Sequence, residues 1–222
     1  MQKTRLIDIK QSILSDNKNL AGQLRQFLRQ SKTFMVNVMA SPGAGKTSLI
    51  LKTMERFRGV RLGVLEGDIE STLDSEKIAA LGVPVVQIRT GGSCHLDAAM
   101  VEKGLASIDI AQLDLILIEN VGNLVCPAGC DTGAFRNVVI LSVPEGDDKP
   151  VKYPLIFKFA DAVVINKIDY PDFSDFDLDA VRQRVKILNP QSVVFPLSCR
   201  TGQGMKSWLD WLRNEVDSFQ AD

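Results

Sequence analysis

The run Ala40-Ser41-Pro42-Gly43-Ala44-Gly45-Lys46-Thr47 constrains this chain more than any other stretch. It follows an apolar segment, 34–39, and opens a segment, 46–57, whose apolar residues recur at helical spacing. Strand, glycine turn and helix in direct succession form a loop whose backbone N–H groups curl around an anion, with the helix N-terminus behind them. The spacing is that of a Walker A loop with Ala40 in the first glycine position. Gly43, Ala44 and Gly45 would form the cradle, and Ser48 joins the nucleotide-binding set. Lys46 would reach the β- and γ-phosphates, and the Thr47 hydroxyl would bind Mg²⁺.

Six further apolar runs read as strands: 61–66, 85–88, 114–119, 137–143, 162–166 and 192–196. Several are Val/Ile/Leu runs with little alternation, as expected of strands buried on both faces. Helical segments fall at 73–82, 95–106, 151–158, 177–188 and 204–218, and a leading helix covers 5–30. Polar residues Ser15, Asp16 and Asn17 mark a point where that first helix could break. The expected fold is α/β, a P-loop NTPase with a largely parallel seven-stranded sheet flanked by helices, in one domain spanning 1–222. Trp208, Leu209, Trp211, Leu212 and Val216 fit one face of the last helix and read as core. The acidic stretch 172–179 reads as a solvated loop running into a helix N-terminus.

Composition removes other classes. With 45% hydrophobic and 24% charged residues the chain is not of the disordered type. Lys+Arg 26 against Asp+Glu 27 argues against a large nucleic-acid or anionic-membrane footprint. No apolar run reaches the roughly 18 residues a membrane span needs, and the first residues lack the apolar stretch of a secretory signal. The four cysteines are too few and too scattered for a disulfide scaffold, so reduced thiols and a cytoplasmic location are expected.

Asn166-Lys167-Ile168-Asp169 ends the sixth strand. Such a tetrapeptide suits guanine: the Asp169 carboxylate accepts from N1–H and the exocyclic amine, Asn166 reaches the purine edge, and the Lys167 stem covers the ring. Ser198 and Cys199 begin a second base-contacting loop, 198–202, whose backbone would meet guanine O6. Two strand ends carry carboxylates. Asp68, in Glu66-Gly67-Asp68, is the candidate for Mg²⁺ or water positioning. Glu119, in Glu119-Asn120-Val121-Gly122, would be the acidic member of a γ-phosphate sensor, with Gly122 allowing close backbone approach. Lys46, Asp68 and Glu119 form the catalytic set; Glu70 and Asp74 are weaker candidates.

Cys94-His95 and Cys126 lie just beyond strand ends on the side where the nucleotide would sit, and His95 is the single histidine. Thiolate and imidazole together suit Zn²⁺ and Ni²⁺. Three ligands do not close a tetrahedral site, so a fourth comes from water, from Cys130 or from a second subunit.

The ordered set Ser41 to Thr47, Cys94-His95-Leu96-Asp97-Ala98, Glu119 through Cys126-Pro127-Ala128, Asp148-Lys149-Pro150 with Lys152-Tyr153-Pro154, and Asn166 to Asp169 resembles the HypB family. These are GTPases that support nickel insertion into nickel-iron hydrogenase. The resemblance implies a dimerising P-loop GTPase with GTP/GDP and Mg²⁺ bound. It implies Ni²⁺ or Zn²⁺ on Cys94, His95 and Cys126 at a homodimer interface, formed under GTP. It also implies a HypA-like nickel chaperone as partner and the hydrogenase large subunit as indirect client, with no nucleic acid or membrane. Lys149 would respond to nucleotide and help couple it to dimer formation. The family's acidic residue is replaced at Ala134, Cys130 is unusual, and no Cys-rich or His-rich tract precedes Cys94, so bulk nickel storage is not expected. The urease accessory GTPases carry Cys-Pro-His, where this chain has Cys126-Pro127-Ala128. A metal-binding regulatory module with a degenerate nucleotide pocket is the other alternative, and the intact Lys46, Thr47, Asn166 and Asp169 argue against it.

Overall fold

Alternate residues of the first strand, β1 (Phe34–Ala40), enter different cores, and every one of them is buried. Phe34, Val36, Val38 and Ala40 pack on one face with Leu49, Ile50, Trp208, Leu212 and Val216. Met35 and Met39 face the other way, Met35 against Ala21, Leu24 and Leu28, Met39 against Ile156 and Val181. A strand apolar on both faces needs helices above and below it. The computed structural model, which describes residues 9–68, 78–170 and 175–221, and side chains from Ser15 onward, supplies them.

The strands are β1, β2 (Leu62–Asp68), β3 (Val85–Arg89), β4 (Leu115–Glu119), β5 (Arg136–Ser142), β6 (Ala162–Asn166) and β7 (Val193–Pro196). They form one sheet in the order β3-β2-β4-β1-β5-β6-β7, and every pairing is parallel. The chain leaves β1 for one side of the sheet and later returns to the other, so the carboxyl end of β1 lies at the switch point where such sheets bind ligands. Helix α2 (Lys46–Arg56) and the last helix, α7 (Met205–Ala221), cover one face. Trp208 donates its indole N–H to Thr53 Oγ1 at 2.9 Å, locking these two together. The other face carries α1 (Ile9–Gln30), α3 (Ala98–Leu105), the short pair α4 (Lys149–Lys152) and α5 (Pro154–Lys158), and α6 (Leu178–Leu188).

Three sequence expectations change, and two more fall partly outside the described residues. Helix α1 runs unbroken through Ser15, Asp16 and Asn17, because Asn17 spends its amide on tertiary partners: it donates to Asp131 O and accepts from Ala98 N, each at 2.9 Å. The helix expected from 95 starts at Ala98, capped by Asp97, which accepts from Met100 N at 2.8 Å; Cys94 and His95 therefore lie in the preceding loop. The segment 151–158 divides at Tyr153, where Pro154, lacking an N–H, begins a new helix. Most of the helix expected at 73–82 lies outside the described residues, although Ile78 is buried in the core. Part of the acidic stretch is likewise outside them; Asp177 caps α6 by accepting from Ala180 N at 2.9 Å.

Candidate functional site

The loop after β1 is built around left-handed glycine. Gly45 has φ +105°, and a Cβ on it would lie 2.3 Å from Asn166 Nδ2. That amide donates to Ala44 O at 3.0 Å, while Asn166 Oδ1 accepts from Lys167 N at 2.8 Å and Cys199 N at 3.2 Å. Lys167 is itself left-handed, φ +61°, with its ammonium donating to Gly43 O at 2.7 Å. The phosphate loop, the Asn166–Asp169 turn and the Ser198–Cys199 loop are thus bolted into one piece. Asn166, buried, is the bolt, and the Cys199 N–H is donated inward to it. Burial pushes the Cys199 thiol up to about 11, consistent with an incidental side chain.

Two cavities meet at Ser48. One, of about 630 Å³, is lined by Leu51, Asp169, Tyr170, Cys199 and Arg200 among others, and matches a base. The Asp169 carboxyl is held below the usual carboxylate range by a Ser198 hydrogen bond and by Arg200, whose guanidinium lies 2.5 Å from Oδ2. These partners favour its charged form. The second cavity, of about 480 Å³, is lined by Pro42, Lys46, Thr47, Glu66, Asp68, Glu119 and neighbouring loop residues, and matches a phosphate chain. The Thr47 hydroxyl donates to Glu119 Oε1 at 2.8 Å. The β2–β4 register sets Glu66 directly beside Glu119, a neighbour that strand spacing alone does not reveal. Pro42 rides over Gly122, where a Cβ would come within 3.0 Å of its ring. Oxygen donors and an ammonium around one cavity fit Mg²⁺ with a polyphosphate. Glu70 and Asp74 lie outside the described residues. Lys149 lines neither cavity; its ammonium sits 5.5 Å from the centre of the Tyr153 ring. The segment before it is tied to the phosphate loop by the Ser41 hydroxyl, which donates to Glu145.

Cys94, His95 and Cys126 converge, their ligand atoms within 4.8 Å of one another and all half-buried. The hydrogen bond with Cys126, together with burial, raises the Cys94 thiol above its ordinary value. Two sulfurs and an imidazole suit a borderline-soft divalent ion, and three ligands leave its coordination open. Among the described residues Cys130 does not join this group; it lines a separate cavity with Arg25 and Phe159, and burial with nearby Asp97 and Asp131 pushes its thiol up to about 12. Asn123 spans the two ligand-bearing segments, donating to Cys94 O at 3.4 Å and accepting from Val125 N at 2.8 Å. Neither Asn123 nor Asn120 stands out in the sequence, where both lie unremarked within the run leading to Cys126.

A parallel sheet with this loop at its switch point defines a P-loop nucleotide-binding protein. Residues 34–196 match the family model described as CobW/HypB/UreG, nucleotide-binding domain. The hydrogenase maturation factor HypB of Azotobacter vinelandii is 44% identical over 216 residues, 97% of this chain and 71% of that protein. The chain belongs to the HypB family. Among solved structures, HypB from Helicobacter pylori in complex with nickel superimposes with a TM-score of 0.87 at 34% identity, covering 91% of this chain and 96% of that one. Hydrogenase maturation factor HypB from Archaeoglobus fulgidus gives 0.85 at 40% identity, covering 91% and 99%. Among the described residues no helix is long and apolar enough to cross a membrane.

Proposed function

We propose that this chain is a GTP-hydrolysing metallochaperone that delivers nickel during nickel-iron hydrogenase maturation. The observation that carries this reading is the loop after β4, which starts at Glu119, on the Thr47 hydroxyl, and seven positions later reaches Cys126 in the metal cluster. Family membership and the nickel complex of the Helicobacter pylori relative support it.

In this mechanism Asp169 selects guanine through its charged carboxylate, and Lys46 with the loop N–H groups neutralises the phosphate chain. Mg²⁺, held by Thr47 and Asp68, would supply further charge neutralisation at the β- and γ-phosphates. Asp68 and Glu119 orient water for in-line attack, so positioning and electrostatics do most of the work. Losing the γ-phosphate lets the loops after β2 and β4 relax, which shifts Cys126 against Cys94 and His95 and frees the ion. An open three-ligand cluster suits a second copy of the chain across a two-fold axis, so a homodimer promoted by GTP completes the site. Lys149, four residues beyond the Ser41–Glu145 bond, is the candidate relay to that interface. A HypA-like nickel chaperone is the expected partner and the hydrogenase large subunit the eventual client, in the cytoplasm.

The test is a Ni²⁺ titration of the metal-free protein with GDP·Mg²⁺ and with a non-hydrolysable GTP analogue, alongside phosphate release from GTP. A difference in nickel affinity between the two states is expected; equal affinities, or no phosphate release, would sink the reading.

A further inference from the structure

Asn120 lies in the wall of the phosphate cavity and reaches from there toward the metal cluster. It follows Glu119 directly and is fully buried. Its Oδ1 accepts from Leu96 N at 3.0 Å and from Val121 N at 2.9 Å. Its Nδ2 donates to Asn37 Oδ1 at 3.0 Å, and Asn37 in turn donates to Asn137 Oδ1 at 3.0 Å. Three amides thus link the end of β4 to β1 and β5 through hydrogen bonds that are buried at Asn120 and half-buried at Asn137, and the chain ends on the residue next to His95. A buried amide with all these partners satisfied is rigid, because breaking any one bond strands a desolvated group.

Leu96 has a second contact that points the same way. It is fully buried against Gly67, between Glu66 and Asp68 at the end of β2. A Cβ on Gly67 would lie 2.6 Å from Leu96 Cδ1 and 2.7 Å from Cγ. The strand ends that carry Asp68 and Glu119 therefore both grip this one leucine, β4 by its backbone N–H through Asn120 and β2 by its side chain. A shift of either strand end relative to the sheet is passed to Leu96 and so to Cys94 and His95.

We infer that Asn120 and the Leu96–Gly67 contact form the joint that couples nucleotide state to the metal cluster, with Asn120 a positioning residue rather than a ligand of either. The inference rests on the nucleotide-gated reading above and names the part of the molecule that does the gating. It adds a second route to Cys94 and His95, beside the Asn123–Cys94 bond made by the loop from Glu119 to Cys126.

The experiment compares nickel affinity with GDP·Mg²⁺ and with the GTP analogue in wild type, Asn120→Ala, Gly67→Ala and Asn123→Ala, with thermal unfolding in GDP as a check of fold. Wild type is expected to show at least about a fivefold difference between nucleotide states. Asn120→Ala loses the amide bonds, and Gly67→Ala keeps them but pushes Leu96 away; in each the ratio is expected to fall to within about twofold of one. Asn123→Ala touches only the ligand segments, so both affinities should drop by a common factor and the ratio should persist. Equal affinities in wild type would remove the gating and the joint together. A wild-type ratio that survives in folded Asn120→Ala or Gly67→Ala would remove the joint alone, as would an Asn120→Ala phenotype identical to that of Asn123→Ala.

Discussion

Asn166→Ala separates two tasks that one side chain could perform. If Asn166 is a bolt between loops, its loss is felt before any nucleotide arrives. The substitution strands Ala44 O, Lys167 N and Cys199 N, the partners it holds at 3.0, 2.8 and 3.2 Å. At about 0.5–1.5 kcal/mol net for each intramolecular hydrogen bond, the nucleotide-free protein should lose about 3 kcal/mol. The same loosening should lower GDP affinity by about a hundredfold, since every 1.4 kcal/mol is a factor of ten. Asp169→Asn is the matched control. Its ion pair is with Arg200, whose side chain is 78% exposed, so its loss should cost the nucleotide-free protein under about 1 kcal/mol while GDP affinity falls. The assay is urea unfolding without nucleotide, paired with GDP calorimetry. Asn166→Ala that weakens GDP yet costs less than about 1 kcal/mol of nucleotide-free stability would refute the argument, and would restore Asn166 to the purine edge.

Two further outcomes follow from the geometry. Cys126→Ala and Cys94→Ala should each weaken nickel binding by about a hundredfold or more, whereas Cys130→Ala should leave it within about twofold, measured by competition with a chelator; a large Cys130→Ala effect would bring that thiol into the ligand set. At Asp131 burial alone would raise the pKa, but the Arg25 hydrogen bonds and charge and the Gly133 N–H outweigh it and hold the carboxyl below its usual range. A carboxyl depressed by folding adds stability above its unfolded pKa, near 3.9, and loses it as pH falls through the lower folded value. Arg25→Ala should therefore cost about 1–2 kcal/mol at pH 7 after solvent screening, with the gap closing as pH falls below the unfolded carboxylate value in denaturant unfolding; a gap independent of pH would refute the assignment.

The strands were legible because burial on two faces leaves a near-continuous apolar run, as in Ala162 to Asn166, where expected and observed limits coincide. The phosphate loop and the Asn166–Asp169 turn stand out in the sequence because each carries particular residues at fixed spacing after a strand. What escaped was side-chain use that depends on strand order. Asn37, Asn120 and Asn137 are remote in sequence and become neighbours because β4 and β5 both pair with β1. Asn17 looked like a helix breaker, and only the docking of α1 turns its amide into a link. Cys130 shares a short run with Cys126, yet lines another cavity, and side-chain direction in an irregular turn has no period to read.

Helix α1 closes its grip on the ligand segments at Ala98, Asp131 and Ala134, all far along the chain. During synthesis the clasp is made first and the parts it holds come much later. Cys94 emerges and waits while 31 more residues are added before Cys126 appears, and Asp131 follows later still. The clasp on the cluster therefore closes only after Asp131, 106 positions beyond Arg25, has appeared, and contacts so distant in sequence are slow to form. A nascent chain carries an exposed thiol and an imidazole with no defined geometry, and it has no means of discriminating among metal ions until the helix has something to clasp.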